Sequence, residues 1–380
     1  MQPIVVIGTG LAGYGVAREF RKHDRHTPLI LITRDDGASY YKPDLSEALT
    51  KGNAPEDLVK KPAARMAEEL DIEVRADSEV SDIDTGARTV TVNGEALAYT
   101  KLVLANGASQ LSVPLGGDAV ADVHHVNSLA DYRVFRRDLN GARRVLIIGA
   151  GLIGCEFAND LANAGIAVDS VDPVDWPLQR LLPEEAGRAL QSALAEQGVQ
   201  WHLGDTVSSV ERDGDGFRVS LSGGGEVSVD LVLSAVGLRP NTALAEAAGL
   251  RTATGVSVDR HLRSSDPQVY ALGDVAEVEG QFLPFVMPLM NAARALGRTL
   301  AGEDTPVRYP VMPVTVKTPA CPVIVYPPRG AAGQWQVAGE APSLEARYVD
   351  AAGNLIGYAL TGEATGKRGQ YMREAPPVLG

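Results

Sequence analysis

Two stretches of the chain share one pattern of apolar and polar positions. Each opens with a continuous apolar run, Ile4-Val5-Val6-Ile7 or Val145-Leu146-Ile147-Ile148, crosses a glycine-rich segment, and continues into a span of helical period, Tyr14 to Lys22 or Cys155 to Ala164. A second apolar run follows: Leu29-Ile30-Leu31-Ile32 in one copy, Val168-Asp169-Ser170-Val171 in the other. Short unbroken apolar runs suit parallel strands buried on both faces, and run, helix and run make a βαβ unit. A further phrase is duplicated, Leu102-Val103-Leu104-Ala105-Asn106-Gly107 and Leu231-Val232-Leu233-Ser234-Ala235-Val236-Gly237, each an apolar run leaving its sheet through small residues and glycine. The expected fold is therefore α/β, with two Rossmann-like dinucleotide-binding domains, one inserted into the other. After Pro313 the texture changes to Val314-Thr315-Val316, Val323-Ile324-Val325-Tyr326, a Pro-Pro-Arg-Gly turn and alternating segments near Gln336 and Ile356, which predicts a small α+β C-terminal domain. The expected boundaries are 1–108 with 238–312 for the first domain, 109–237 for the inserted one and 313–380 for the last.

The glycine-rich segments read Gly8-Thr9-Gly10-Leu11-Ala12-Gly13 and Gly149-Ala150-Gly151-Leu152-Ile153-Gly154. One GxGxxG is a weak signal, but two copies, each between a strand and a helix, are a strong one. In each, the first glycine permits a tight turn, the second lets the backbone approach a pyrophosphate, and the third allows close helix–strand packing. The helix N-terminus then offers free N–H groups to the phosphates. Two such sites imply two dinucleotides. At the end of the second strand an acid takes ribose hydroxyls, whereas an arginine would accept a 2′-phosphate. Asp172 holds that place in the second unit, which favours NADH over NADPH. The first unit reads Thr33-Arg34-Asp35, with Arg34 where the acid belongs and Asp35 one residue late. Either acid also suits a solvated loop.

Composition removes several classes. The 380 residues carry 48 acidic and 35 basic side chains, a net charge of −13, which argues against nucleic acid or an anionic membrane as partner. Hydrophobic residues at 45% and charged residues at 22% are ordinary for a globular chain of two or three domains. Only Cys155 and Cys321 occur, too few for a disulfide framework, an iron–sulfur cluster or a Cys-rich zinc site. Both suit small buried hydrophobes. His124, His125, His202 and His261 show no ligand spacing, so no metal is expected. No apolar stretch is long enough to span a membrane, and Met1 runs into a strand without a basic leader, so the expected compartment is the cytoplasm.

Val269-Tyr270-Ala271-Leu272 runs into Gly273-Asp274, by itself a plain turn after a strand. In company with two glycine turns and Ala105-Asn106-Gly107, it resembles the FAD-dependent pyridine-nucleotide oxidoreductases over essentially residues 1 to 312. That resemblance implies FAD in the first unit, with Asp274 on the flavin ribityl chain. Two further segments, Tyr40-Tyr41-Lys42-Pro43-Asp44-Leu45-Ser46 and Pro313-Val314-Thr315-Val316-Lys317-Thr318-Pro319-Ala320-Cys321-Pro322, resemble the rubredoxin and flavorubredoxin reductases, whose lysines at these places lie beside the flavin. Alone, Lys317 would suit a solvated strand face. By the same resemblance Glu156 lies near flavin and nicotinamide, close enough to pair with Lys42; alone, it suits a helix N-terminus. Phe285-Val286-Met287-Pro288-Leu289 opens a helix that Gly302 stops, and its positive end would stabilise charge on the flavin pyrimidine edge. The residues implied for FAD are Gly8, Thr9, Gly10, Leu11, Ala12, Gly13, Thr33, Arg34, Asp35, Lys42, Pro43, Val80, Ala105, Asn106, Gly107, Glu156, Gly273, Asp274, Val286 and Lys317. Those for NAD are Gly149, Gly151, Leu152, Ile153, Gly154, Asp172, Val236 and Gly237.

The activity implied is that of the rubredoxin reductases: a hydride from NADH to FAD, then single electrons to the iron of rubredoxin. Lys42 and Lys317 would supply positive charge at the ring, with Glu156 tuning them. The lack of any second redox group in the chain requires an external acceptor. The alternatives are a reductase of flavorubredoxin or ferredoxin, and a flavin redox sensor without turnover. Rubredoxins are acidic, so a chain at −13 needs a local basic area to dock one, for which Lys317, Arg329, Lys367, Arg368 and Arg373 are candidates. The short third domain suits a monomer.

Overall fold

The computed structural model describes residues 2–330 and 332–380. Its parallel strands, in chain order, are β1 (Ile4–Ile7), β2 (Leu29–Ile32), β3 (Glu73–Arg75), β4 (Lys101–Leu104), β5 (His124–His125), β6 (Arg144–Ile148), β7 (Ala167–Asp172), β8 (Val199–Leu203), β9 (Leu231–Ser234) and β10 (Val269–Ala271). The continuous apolar runs become the sheet centres, because only a strand covered on both faces hides every side chain. Each fully buried Val or Leu there contributes about 1.5–3 kcal/mol.

The strands form two five-stranded sheets, β10-β4-β1-β2-β3 and β5-β9-β6-β7-β8, parallel throughout. In each, the strand that enters the glycine turn lies between the strand that follows the helix and the one that leaves through small residues. Val5 aligns with Ile30 and Leu102, as Leu146 aligns with Asp169 and Val232. The chain builds the whole second sheet between β4 and β10, so the second unit is an insertion in the first.

The helices that bear on the site are α1 (Leu11–Arg21), α2 (Leu129–Asp138), α3 (Leu152–Asn163) and α4 (Val286–Leu300). α1 and α3 begin three residues before the apolar period alone places them. Gly10 and Gly151 are themselves the N-caps, in extended backbone, so each glycine turn doubles as the start of its helix. α4 lies against α1: a Cβ on Gly297 would stand 2.6 Å from that of Glu19. That close approach carries the start of α4 to the first glycine turn.

The third unit is an antiparallel sheet of β11 (Val314–Val316), β12 (Val323–Tyr326), β13 (Gly333–Glu340), β14 (Ser343–Asp350) and β15 (Leu355–Thr361), in the order β11-β12-β15-β14-β13. Helix α5 (Arg368–Glu374) covers one face, where Tyr371 packs on Tyr358 at 5.0 Å between ring centroids. The other face joins a core that runs from Leu45 and Leu58 through Phe157 and Leu161 of α3 to Val316 and Val323. No helix among the described residues is long and apolar enough to cross a membrane.

Candidate functional site

The two glycine turns have the same geometry. Gly8 (φ 111°) and Gly149 (φ 117°) lie in the left-handed region that side chains avoid. A Cβ on Gly13 would stand 1.9 Å from the Gly8 carbonyl oxygen, and one on Gly154 2.0 Å from that of Gly149. The exits of β4 and β9 press from beneath: a Cβ on Gly8 would meet Ala105 O at 2.3 Å, and one on Gly149 would meet Ala235 O at 2.7 Å. Gly10 and Gly151 differ, since a Cβ there would meet nothing within 4 Å among the described residues. Each is bare backbone at the positive end of a helix, facing open space, which is what a pyrophosphate requires.

Other residues close around the first turn. Thr9, Leu11 and Ala12 form the turn and the first helical residues, and a Cβ on Gly273 (φ 77°) would stand 2.9 Å from that of Ala12. Leu289 of α4 lies 3.5 Å from the same point, so Gly273-Asp274 and the start of α4 at Val286 share the mouth of this turn. Below it, Asn106 and Asn241 each donate a side-chain N–H to the other's backbone carbonyl, at 2.9 and 2.7 Å. Asn106 Oδ1 is buried and meets no donor among the described residues, an atom that a ligand would satisfy. Gly107 (φ 66°) continues from it. The matching exit of β9 brings Val236 N to 3.4 Å from where a Cβ on Gly149 would stand, and Gly237 (φ 117°) follows it; Leu152 and Ile153 are the first residues of α3. The residues present fit a dinucleotide at each turn.

The acids at the strand ends differ. Asp172 Oδ2 accepts the Ala150 N–H at 2.6 Å and Oδ1 accepts that of Val174 at 3.1 Å, which fixes the carboxylate against its glycine turn. Asp35 is exposed and is held by the Thr33 hydroxyl (2.7 Å), Gly37 N (3.0 Å) and, weakly, the Thr9 hydroxyl (3.4 Å). Arg34 points to solvent while Thr33 is buried. Val80 is buried close by, two residues past Ser78, whose N–H bonds Thr33 O.

The expected Lys42–Glu156 pair does not form. Lys317 takes Glu156 instead: its Nζ lies 2.8 Å from Glu156 Oε2, donates to Ser46 Oγ at 2.7 Å and also to Pro43 O, while its backbone N–H donates to Glu156 Oε1 at 3.0 Å. Ser46 donates to Glu156 at 2.6 Å, so a carboxylate 3% exposed is satisfied on both oxygens. Lys42 donates to Asn127 Oδ1 at 2.6 Å. Burial pulls its ammonium below the ordinary lysine range, offset in part by Asp274 and Asp131. Asp274, in turn, is pushed up by burial and drawn back by Lys42. The physical reason for the exchange is reach. Lys317 enters from a third unit, and its main chain and side chain both engage a carboxylate that Lys42 could meet only with its tip.

Sequence reasoning passed over Ser46, Asn127, Asn159 and Asp160. Asp160 is buried, which raises its carboxyl, and accepts the backbone N–H groups of Leu49 (3.1 Å) and Thr50 (2.7 Å). Asn159 Oδ1 accepts Ala320 N at 3.1 Å. With Glu156 these residues form a polar stripe on α3, a signal present in the sequence at helical spacing but ordinarily assigned to solvent. Three of the five candidate docking cations are already engaged. Lys317 is committed to Glu156, Lys367 to Glu345 at 2.6 Å, and Arg329 is half-buried beside Gln281. Both cysteines are buried, and burial pushes both thiols up. His202 bonds Asp169 at 2.9 Å, which Arg144 also clamps.

Two nested Rossmann-like units, each with an open cradle at its glycine turn, define a two-dinucleotide oxidoreductase. Residues 2–297 match the pyridine nucleotide-disulphide oxidoreductase family, to which the chain belongs. Residues 306–375 match the rubredoxin binding C-terminal domain. The chain is 48% identical over 381 residues to the rubredoxin-NAD(+) reductase of Alcanivorax borkumensis, all of both chains being covered. It is 42% identical over 388 residues to that of Acinetobacter baylyi, covering all of this chain and 99% of the other. The ferredoxin reductase for the CYP199A2 system of Rhodopseudomonas palustris superposes with a TM-score of 0.89 at 28% identity, over 99% of this chain and 96% of that one. FAD and NADH are the nucleotides this family membership indicates.

Proposed function

We propose that the protein is a rubredoxin reductase that passes electrons from NADH through FAD to the iron of rubredoxin. The observation that carries this reading is the junction at Lys317. The unit that matches a rubredoxin-binding domain inserts this lysine between Glu156 of the inserted unit and the Pro43–Ser46 loop of the first, so partner-binding and flavin-side segments meet directly. FAD, when bound, accepts two electrons as hydride and releases them singly.

The chain's own residues set the conditions. Gly8 to Gly13 would hold the FAD pyrophosphate, Asp35 its ribose and Asp274 the ribityl chain. The N-terminus of α4 and the ammonium of Lys42 would favour negative charge at the ring. Gly149 to Gly154 and Asp172 would hold NADH, and no protein acid or base need be consumed. We take residues 1–108 with 238–312 as the FAD domain, 109–237 as the NAD domain and 313–380 as the partner domain. The cytoplasm is the proposed compartment, supported by two thiols left unpaired.

Anaerobic rapid mixing with NADH and oxidised rubredoxin tests the reading: the flavin bleaches, then the rubredoxin colour fades. Flavin bleaching without rubredoxin reduction overturns the partner. Faster reduction of a ferredoxin or flavorubredoxin reassigns it, and flavin bleaching only over many minutes favours a sensor.

A further inference from the structure

Lys317 reaches the Pro43 carbonyl beside Lys42, yet the two lysines have unlike partners. Lys317 meets a carboxylate at 2.8 Å, which cancels its charge locally. The direct partner of Lys42 is the neutral amide oxygen of Asn127, at 2.6 Å. Asn127 is not a flexible surface group. Its Nδ2 donates to Ala108 O at 2.8 Å, immediately after the Asn106-Gly107 exit of β4. Its backbone N–H donates to Asp131 Oδ2 at 3.0 Å, and the Ser128 N–H adds a second bond to the same atom at 2.8 Å. Asp131 and Ser128 form the capping box of α2, so Asn127 is fixed by a helix start, a strand exit and its lysine at once.

We infer that Asn127 is a positioning residue for the reductive half-reaction, holding the Lys42 ammonium at the flavin cradle through a neutral acceptor that leaves the positive charge uncancelled. The inference rests on the first glycine turn holding FAD. An amide suits this task and a carboxylate does not. Asn127 stabilises the charged amine by a hydrogen bond but adds no negative charge between it and the ring. The charged groups acting on Lys42 are Asp274, beside Gly273 at the mouth, and Asp131, already occupied by two backbone N–H groups. Neither hydrogen-bonds the ammonium among the described residues. Asn127 therefore decides where the charge sits, and its hydrogen bond favours the charged amine against the burial that lowers the Lys42 pKa.

Two substitutions on the full-length, FAD-loaded protein separate this from a merely structural role. Asn127→Asp supplies a charged acceptor, so Lys42 holds its proton to higher pH and its charge is cancelled. The flavin midpoint potential moves negative, and the alkaline limb of flavin reduction by NADH moves up in pH. Asn127→Leu removes the acceptor, so the limb moves down, and reduction below it slows about tenfold as the amine loses its fixed position. Opposite shifts of the limb are the expected result. In a Lys42→Met background, which has no amine to position, Asn127→Leu adds nothing further. Limbs that coincide with wild type, or a tenfold loss that persists in the Lys42→Met background, overturn the inference. Should Asn127→Leu not retain flavin, the potential and limb of Asn127→Asp, which keeps the size and one acceptor, decide the matter. Failure of the FAD reading is distinct: the unsubstituted protein would then carry no flavin that NADH bleaches.

Discussion

In the first nucleotide unit a side chain at Gly13 would strike the Gly8 carbonyl at 1.9 Å, and in the second one at Gly154 would strike that of Gly149 at 2.0 Å. The strand ends depart from this likeness. Asp172 is clamped by two backbone N–H groups, whereas Asp35 is exposed, one residue late and held chiefly by a threonine hydroxyl and one N–H. The difference separates two kinds of constraint. Helix–strand approach is a packing requirement that both units meet in one way, while the acid answers to its ligand. With FAD at the first turn and NADH at the second, as proposed, a resident FAD would be gripped along its whole length, whereas an NADH that comes and goes would depend more on a single well-fixed carboxylate.

The largest effects should come from the shared packing. Ala at Gly13 or Gly154 places a methyl against a backbone carbonyl that cannot rotate away, at a cost of about 3 kcal/mol or more. Gly13→Ala is expected to purify without flavin, and Gly154→Ala to keep its flavin while losing bleaching by NADH. Absorbance at purification and after NADH addition checks both, and flavin loss in Gly154→Ala would break the division between units. Next comes Glu156→Ala, which removes the counter-charge of the Lys317 ammonium and the acceptor of the Ser46 hydroxyl at 2.6 Å. It should cost about 2–3 kcal/mol, read as a lower Tm, with Glu156→Gln costing less.

Smaller effects sharpen the contrast between the acids. Asp172→Ala should raise the KM for NADH roughly 10–100-fold, the worth of about 1.5–3 kcal/mol of charge-assisted hydrogen bonds, while Asp35→Ala raises the FAD dissociation constant by less than about tenfold. Equal losses would erase the distinction. The subtlest is a pH effect. Burial lowers the Lys42 pKa, so its charge is present below that value and is lost at a pH below the ordinary lysine range. Flavin reduction by NADH should decline there, and the decline should vanish in Lys42→Met.

The repeated βαβ units and the packing roles of the first and third glycines were legible because each follows from local pattern. Helix starts were not: Tyr14 and Cys155 mark where the apolar period begins, but Leu11 and Leu152 are where the backbone turns, since glycine gives no periodic signal. The partner of Lys42 was hidden for another reason. Asn127 lies 85 residues away in the chain and belongs to no motif. The stripe Glu156, Asn159, Asp160 was visible yet misleading, because polar residues at helical spacing ordinarily face water and these face the other units.

That stripe has a consequence for engineering. From α3, Glu156 engages Ser46 and Lys317, Asn159 engages Ala320, and Asp160 engages Leu49 and Thr50, so one helix rivets two segments, 46–50 and 317–320, that lie far apart in sequence. The units are consequently not interchangeable cartridges. A chimera given a foreign inserted unit to change its coenzyme, or a foreign last unit to change its electron acceptor, must carry a matching helix face and both loops with it. Recombination points chosen only at the joints between sheets would cut through the rivet.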